Sequence, residues 1–354
     1  MKGLSNSGRS GPRLSTMDQM VLRQRQEIRE MASGFRQAQI LLACFELGVF
    51  EVLDGRWATA AEVATALGAD AHAVDLLLNA ATALELLEKH AGRFTNTALA
   101  QTCLTPAGPG AMTSSLRLQR AFYRRWGRLA DAVRTGQRPE ENRRDEQAGD
   151  WVRNFVYGLY DMARPMAPFV VEALALPLDR ALRVIDVGGC HAAYSLALAR
   201  RHPLLTATVF DLPAVVPFAR EIIDQAGLAD RVSVQAGDFQ QEGLGHGFDV
   251  ALVFGVLNGE PPDGRPELIR KVYDCLNPGG RIALRDLVLD PDRTGPAEAA
   301  IFALQMLLAT EAGGLDTSDD WAHWLAEAGF NQVHSVDLPA GAGTTLTVAR
   351  KPAR

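Results

Sequence analysis

The chain has 354 residues, with 47% hydrophobic and 22% charged residues and a formal net charge of −6. That length suits two domains with a sizeable buried core, and the acidic balance argues against a partner held through its phosphate backbone, such as nucleic acid. No apolar run approaches the ~18 residues of a membrane span, so no membrane partner is expected.

The first 16 residues, "MKGLSNSGRSGPRLST", are rich in Ser, Gly and Arg and lack the apolar centre of a secretory signal. They read as a disordered extension of a cytoplasmic protein, with Met17 as an alternative start. Cys44, Cys103, Cys190 and Cys275 are scattered, with no CxxC pair. This spacing suits reduced thiols and offers no metal site.

From Asp18 to Leu53 apolar residues recur at helical spacing around more than one face, a pattern that a partner subunit or the chain itself must cover. Thr59 and Glu62 have the spacing of a capping box, opening a helix to Leu67 with a turn at Gly68 and a second helix from about Ala71. Leu86–Lys89 and Arg93–Asn96 flank "HAGR" as a hairpin, completing a winged-helix pattern. The second helix carries no Arg or Lys, which makes the module structural rather than DNA-binding.

A long helix, "AMTSSLRLQRAFYRRWGRLADAVRTG", follows, and the polar run from Gln137 to Asp150 marks a boundary. The expected division is therefore 1–16, 17–150 and 151–354. A helix spanning "FVYGLYDMARPMAPFVVEALAL" leads into alternating strands and helices from Arg183, which predict a parallel sheet with helices on both faces. The last two strands are close enough to form an antiparallel hairpin beside it.

In such a sheet, ligands lie beyond the carboxyl ends of the strands. Asp186 and Gly188 end the first strand, Asp211 ends the second, Asp238 and Phe239 follow the third, Asn258 follows the fourth, and Arg285 and Asp286 close the fifth. One carboxylate after each of three successive strands suits a ligand with a ribose and an adenine. The turn "GGCHAA" fits a dinucleotide poorly, because Cys190 and Ala193 stand where GxGxxG has glycine. His191, at the start of the next helix, reads as a solvated side chain. Arg285 and Asp286 read as an ion pair or as a polar contact for substrate.

The ordered series "VIDVGG", "VFDLP", "AGDF", "LVFGVLN", "LNPGGRIALRD", "AGG" and "WLAEAGF" resembles the small-molecule O-methyltransferases of secondary metabolism that use S-adenosylmethionine (SAM). The resemblance runs from about Phe35 to the C-terminus. It implies an α/β fold, a class I Rossmann-like sheet of seven strands, with an N-terminal helical winged-helix domain that forms a homodimer. It places the SAM pocket at Asp186, Gly188, Gly189, Asp211, Leu212, Asp238 and Phe239.

Three departures from the family pattern shape the functional expectation. Cys190 and Ala192 replace glycines of the family's turn and would weaken SAM binding. Asn258 replaces the family's histidine base, so the expected transfer relies on proximity to a small-molecule acceptor, a phenolic or hydroxylated natural product. Asp286 and Asp316 stand where the family has glutamates, and complete the catalytic set with Asn258. Apolar residues such as Met162, Phe302 and Met306 form the acceptor face. The alternatives are a non-methylating enzyme on this fold (hydroxylase, decarboxylase or pericyclase) and a silent dimeric interaction protein.

Overall fold

The computed structural model describes residues 15–142, 150–338 and 343–353. They fall into two compact units, Met1–Ala111 and Met112–Arg354. The first unit contains α1 (Thr16–Ser33), α2 (Phe35–Leu47), α3 (Val49–Val52), β1 (Ala58–Thr59), α4 (Ala60–Leu67), α5 (Ala71–Ala83), β2 (Leu87–His90), β3 (Arg93–Asn96) and α6 (Ala98–Cys103).

Residues 15 and 16, expected in the extension, instead open α1: the Ser15 hydroxyl accepts the Asp18 N–H at 3.2 Å. The rest of that extension, 1–14, lies outside the described residues. The helical run to Leu53 is divided at Gly34 and Gly48, the latter left-handed with φ 82°. Thr59 and Glu62 form the expected capping box, and Gly68 ends α4 in the left-handed region. Ala91 (φ 47°) and Gly92 (φ 75°) make the two-residue turn between β2 and β3. The unit is thus helix, turn, helix and wing, with strand order β1-β3-β2 around buried Val63, Leu78, Leu87 and Phe94.

The second unit opens with α7 (Thr113–Trp126), α8 (Leu129–Thr135), α9 (Trp151–Ala163) and α10 (Ala167–Ala173). Its border lies earlier than the expected 150/151, because α7 packs along α9. A Cβ on Gly158 of α9 would come within 2.9 Å of Leu118 Cβ, and the Asp161 carboxylate accepts the Ser114 N–H at 2.9 Å, capping α7. Residues 143–149 of the polar run lie outside the described residues. Both expected long helices are broken, one at Gly127 and one at Pro165, which has no backbone N–H to carry the helix on.

The sheet follows: β4 (Leu182–Val187), α11 (Ala193–Arg201), β5 (Leu205–Asp211), α12 (Val216–Gln225), β6 (Val232–Ala236), β7 (Phe248–Phe254), α13 (Gly264–Cys275), β8 (Leu276–Asp286), α14 (Ala297–Ala309), α15 (Ser318–Glu327), β9 (Asn331–Val336) and β10 (Thr345–Arg350). The order is β6-β5-β4-β7-β8-β10-β9, with β10 antiparallel to β8 and β9. This is the expected seven-stranded, mostly parallel sheet. The period of two along each strand divides its apolar residues between two layers. Val184, Val209, Leu252 and Ala283 meet α9–α12, while Ile185, Phe210, Val253 and Leu284 meet α13 and α15. Strand order reverses between β4 and β7, so the crevice opens at the carboxyl end of β4.

Candidate active site

The turn from β4 to α11 is built tightly. Gly188 has φ 63°, and a Cβ there would lie 2.6 Å from Val256 Cγ2. Its N–H donates to Phe210 O at 2.8 Å, fixing the turn to the end of β5. Gly189 lies over Asp186, where a Cβ would come within 2.6 Å of the carboxyl carbon. Cys190 and Ala192 adopt φ 43° and 59°, left-handed despite their side chains. The backbone therefore keeps a glycine-like course at about 1–2 kcal/mol per position. The Cys190 side chain is buried with Ala193 and Tyr194 in the apolar layer, where burial raises its thiol pKa well above the ordinary value.

Asp186 is buried and accepts the Ser195 hydroxyl at 2.7 Å. Burial raises its pKa from 3.8 to about 7. It sits beneath the turn and ties β4 to α11. Asp211 presents one oxygen to the Cys190 N–H at 2.8 Å and the other to the Leu212 N–H at 2.7 Å. Burial raises its pKa, and these two donors oppose the shift. Leu212 is exposed beside it. The Asp238 oxygens accept the Gln240 N–H and the Gln241 amide, both at 2.9 Å, which orders the loop after β6. Phe239 is half-buried against the α13 side of the sheet, and its carbonyl takes the Lys271 ammonium at 2.7 Å.

On the acceptor side, Asn258 lies in a single 3-10 turn, Leu257–Gly259, after β7. Its amide nitrogen donates to Asp286 Oδ1 at 2.9 Å, and the same oxygen accepts the Leu287 N–H at 2.8 Å. Asp286 is buried, which raises its pKa from 3.8 to about 6. The Asn258 carbonyl takes the Gly314 N–H at 2.9 Å, so the "GGLD" segment closes against the turn. Asp316 is paired with buried Arg265 and lies near enough to Asp286 for its charge to help raise the Asp286 pKa. Arg265 also donates to Glu260 O at 3.0 Å.

Phe302 and Met306 come together on α14 with Leu289 and Leu315. Met306 is buried there, whereas Met162 on α9 is 52% exposed. The expectation of a solvated His191 is corrected. Its ring is buried beside Tyr160 and Tyr194, at centroid distances of 6.3 and 5.9 Å. Its Nδ1 accepts the Ala193 N–H at 3.1 Å, and burial lowers its pKa to about 4, assisted by Arg285. The expected pairing of Arg285 with Asp286 does not form either, since adjacent strand residues face opposite sides. Arg285 Nη1 donates to the Tyr194 hydroxyl at 2.6 Å.

Several contributors were not legible beforehand. Lys271 lies on a helix whose exposed face carries other charges, Glu260 and Gln240 meet at 2.9 Å only after folding, and Tyr194 reads as ordinary core. The "EPPDGR" run gives a weak signal for Arg265, as a charge soon after the Asn258 turn.

This donor set fits SAM. The turn leaves no side chain on Gly188 or Gly189, the Cys190 thiol is packed away in the core, and each Asp211 oxygen retains accepting capacity beyond the N–H it takes.

Comparison with known proteins gives the same reading. An O-methyltransferase domain model matches residues 126–331, and an O-methyltransferase dimerisation domain model matches 29–106. The chain is 33% identical to the 3-hydroxy-5-methyl-1-naphthoate 3-O-methyltransferase of Streptomyces sahachiroi, over 87% of this chain and 90% of that protein. It is 28% identical to the tetracenomycin polyketide synthesis 8-O-methyl transferase of Streptomyces glaucescens, over 92% and 96% of the two. The solved structure of human N-acetylserotonin methyltransferase in complex with SAM superposes with a TM-score of 0.82 at 29% identity, covering 97% of this chain and 100% of that one. From the shared domain models, the relatives and the sheet order, the chain belongs to the SAM-dependent O-methyltransferase family.

Proposed function

We propose that this O-methyltransferase methylates a phenolic or otherwise hydroxylated aromatic natural product, without a histidine base. The relatives named for a naphthoate 3-hydroxyl and a polyketide 8-hydroxyl support that acceptor class. Asp211, Asp238 and Phe239 hold the nucleoside, and the turn at Gly188 and Gly189 holds the methionine end. SAM supplies an electrophilic methyl group on a sulfonium sulfur.

The observation that carries the mechanism is the hydrogen bond from Asn258 Nδ2 to Asp286. With its nitrogen committed to a carboxylate, the amide directs Oδ1 elsewhere as an acceptor for the substrate hydroxyl. Asn258 thus orients the acceptor oxygen, and Asp286 positions Asn258. The oxygen takes the methyl carbon as the carbon–sulfur bond breaks, its electron pair returns to sulfur, and the hydroxyl proton leaves to water. An amide does not remove that proton near neutrality, so rates should follow the acidity of the acceptor.

The chain is proposed to act as a homodimer through the unit containing the dimerisation match, in which α1 exposes Met20, Leu22, Ile28 and Met31. Its four free cysteines suit a reducing, cytoplasmic setting.

The test is S-adenosylhomocysteine release from SAM across a series of phenols of graded acidity. The rate should rise with acidity, and Asn258→Ala should lower kcat roughly 10-fold, the worth of one hydrogen bond. Product formed without S-adenosylhomocysteine would sink the proposal.

A further inference from the structure

Among the described residues, Arg285 is a cation without an ion-pair partner. The preceding residues of β8, Ile282, Ala283 and Leu284, are apolar and at most 1% exposed. Arg285 continues the Ala283 face toward α11 and lays its guanidinium by the Tyr194 ring, 5.4 Å from the centroid. Nη1 is engaged by the Tyr194 hydroxyl at 2.6 Å. Nε is buried without an acceptor, and Nη2 has none among the described residues.

The nearby carboxylates are otherwise engaged. Asp286 lies on the opposite face with Asn258, Asp186 takes Ser195, and Asp211 takes the Cys190 and Leu212 N–H groups. Interiors rarely leave a half-buried cation without a counter-charge. A second donor stands close by. His191 is neutral, and because its Nδ1 accepts the Ala193 N–H, its ring proton is on Nε2.

We infer that Arg285, backed by Tyr194 and His191, forms a carboxylate-binding site inside the methyl-transfer pocket. A guanidinium edge matches a carboxylate through paired N–H donors. The inference rests on the proposed pocket, where two ligands bring this chemistry: the methionine end of SAM and the ring carboxylate of an aromatic hydroxy-acid acceptor.

Calorimetric titration of the native protein, Arg285→Met and Arg285→Lys separates the sources. The probes are S-adenosylhomocysteine against 5′-methylthioadenosine, which lacks the amino-acid end, and 1-hydroxy-2-naphthoate against 1-naphthol in the presence of S-adenosylhomocysteine. If the methionine carboxylate is held, Arg285→Met weakens S-adenosylhomocysteine roughly 10- to 150-fold and leaves methylthioadenosine unchanged. If the acceptor carboxylate is held, only the hydroxynaphthoate loses affinity. In either case Arg285→Lys restores part of the loss.

Equal loss for carboxylated and uncarboxylated probes, no change with any probe, or no preference of the native protein for the carboxylated ligands overturns the inference. Asp211→Ala reports on the pocket independently. If that variant binds S-adenosylhomocysteine normally, the pocket assignment fails, whatever Arg285 does.

Discussion

Two buried titratable residues flank the β4 turn and give opposite pH dependences. Asp186 is raised from 3.8 to about 7, so the folded chain holds a proton that the unfolded chain has released, and stability falls as pH rises from about 4 to about 7. His191 is lowered from 6.5 to about 4, so the unfolded chain takes up a proton that the folded chain refuses, and stability falls as pH drops through that window. Asp186→Asn keeps an acceptor for Ser195 and removes only the first effect. Urea unfolding of the variant should show a gain over the native protein that is small near pH 4 and grows toward pH 7. An unchanged difference across that range would mean that Asp186 is already ionised in the fold. The carboxylates at strand ends were legible in the sequence because strand ends can be located by period. The fates of His191, Arg285 and Asp316 were not, because they depend on which face of the sheet a residue takes and which loop meets it.

At the scale of the element, the turn separates shape from composition. Gly188 combines positive φ with the Val256 contact, so Gly188→Ala should destabilise the fold by about 1–3 kcal/mol and impair S-adenosylhomocysteine binding. Cys190→Gly relieves left-handed strain but vacates a buried thiol, two opposed terms of similar size. Stability should change by less than about 1 kcal/mol and affinity by less than about fivefold. Denaturant titration and calorimetry check both, and a large gain in affinity for Cys190→Gly would show that the thiol obstructs the site. The capping box at Thr59 and Glu62 and the hairpin turn announced their elements in the sequence. The breaks at Gly127 and Pro165 were read through, because apolar spacing continues across both.

For the whole molecule, the division between units follows packing rather than polarity. The run before Asp150 looks like a border, yet Gly158 and Asp161 bind α9 to α7 and draw the preceding helices into the second unit. In the first unit, no residue of α1 is buried within the chain, although Met20, Leu22, Ile28 and Met31 are apolar. A surface of this kind is what a second copy covers. Ile28→Glu combined with Met31→Glu should shift the protein toward monomer in sedimentation velocity, while the native chain sediments as a dimer. A native monomer at micromolar concentration would refute the homodimer.

The left-handed backbone at Cys190 and Ala192 also bears on how such chains diverge. Cysteine and alanine codons each lie one nucleotide from a glycine codon, and the peptide already follows the path that glycine would take. Lineages can therefore exchange these residues without rebuilding the loop. A search pattern that counts glycines would discard this chain, whereas one that matches torsion angles would retain it.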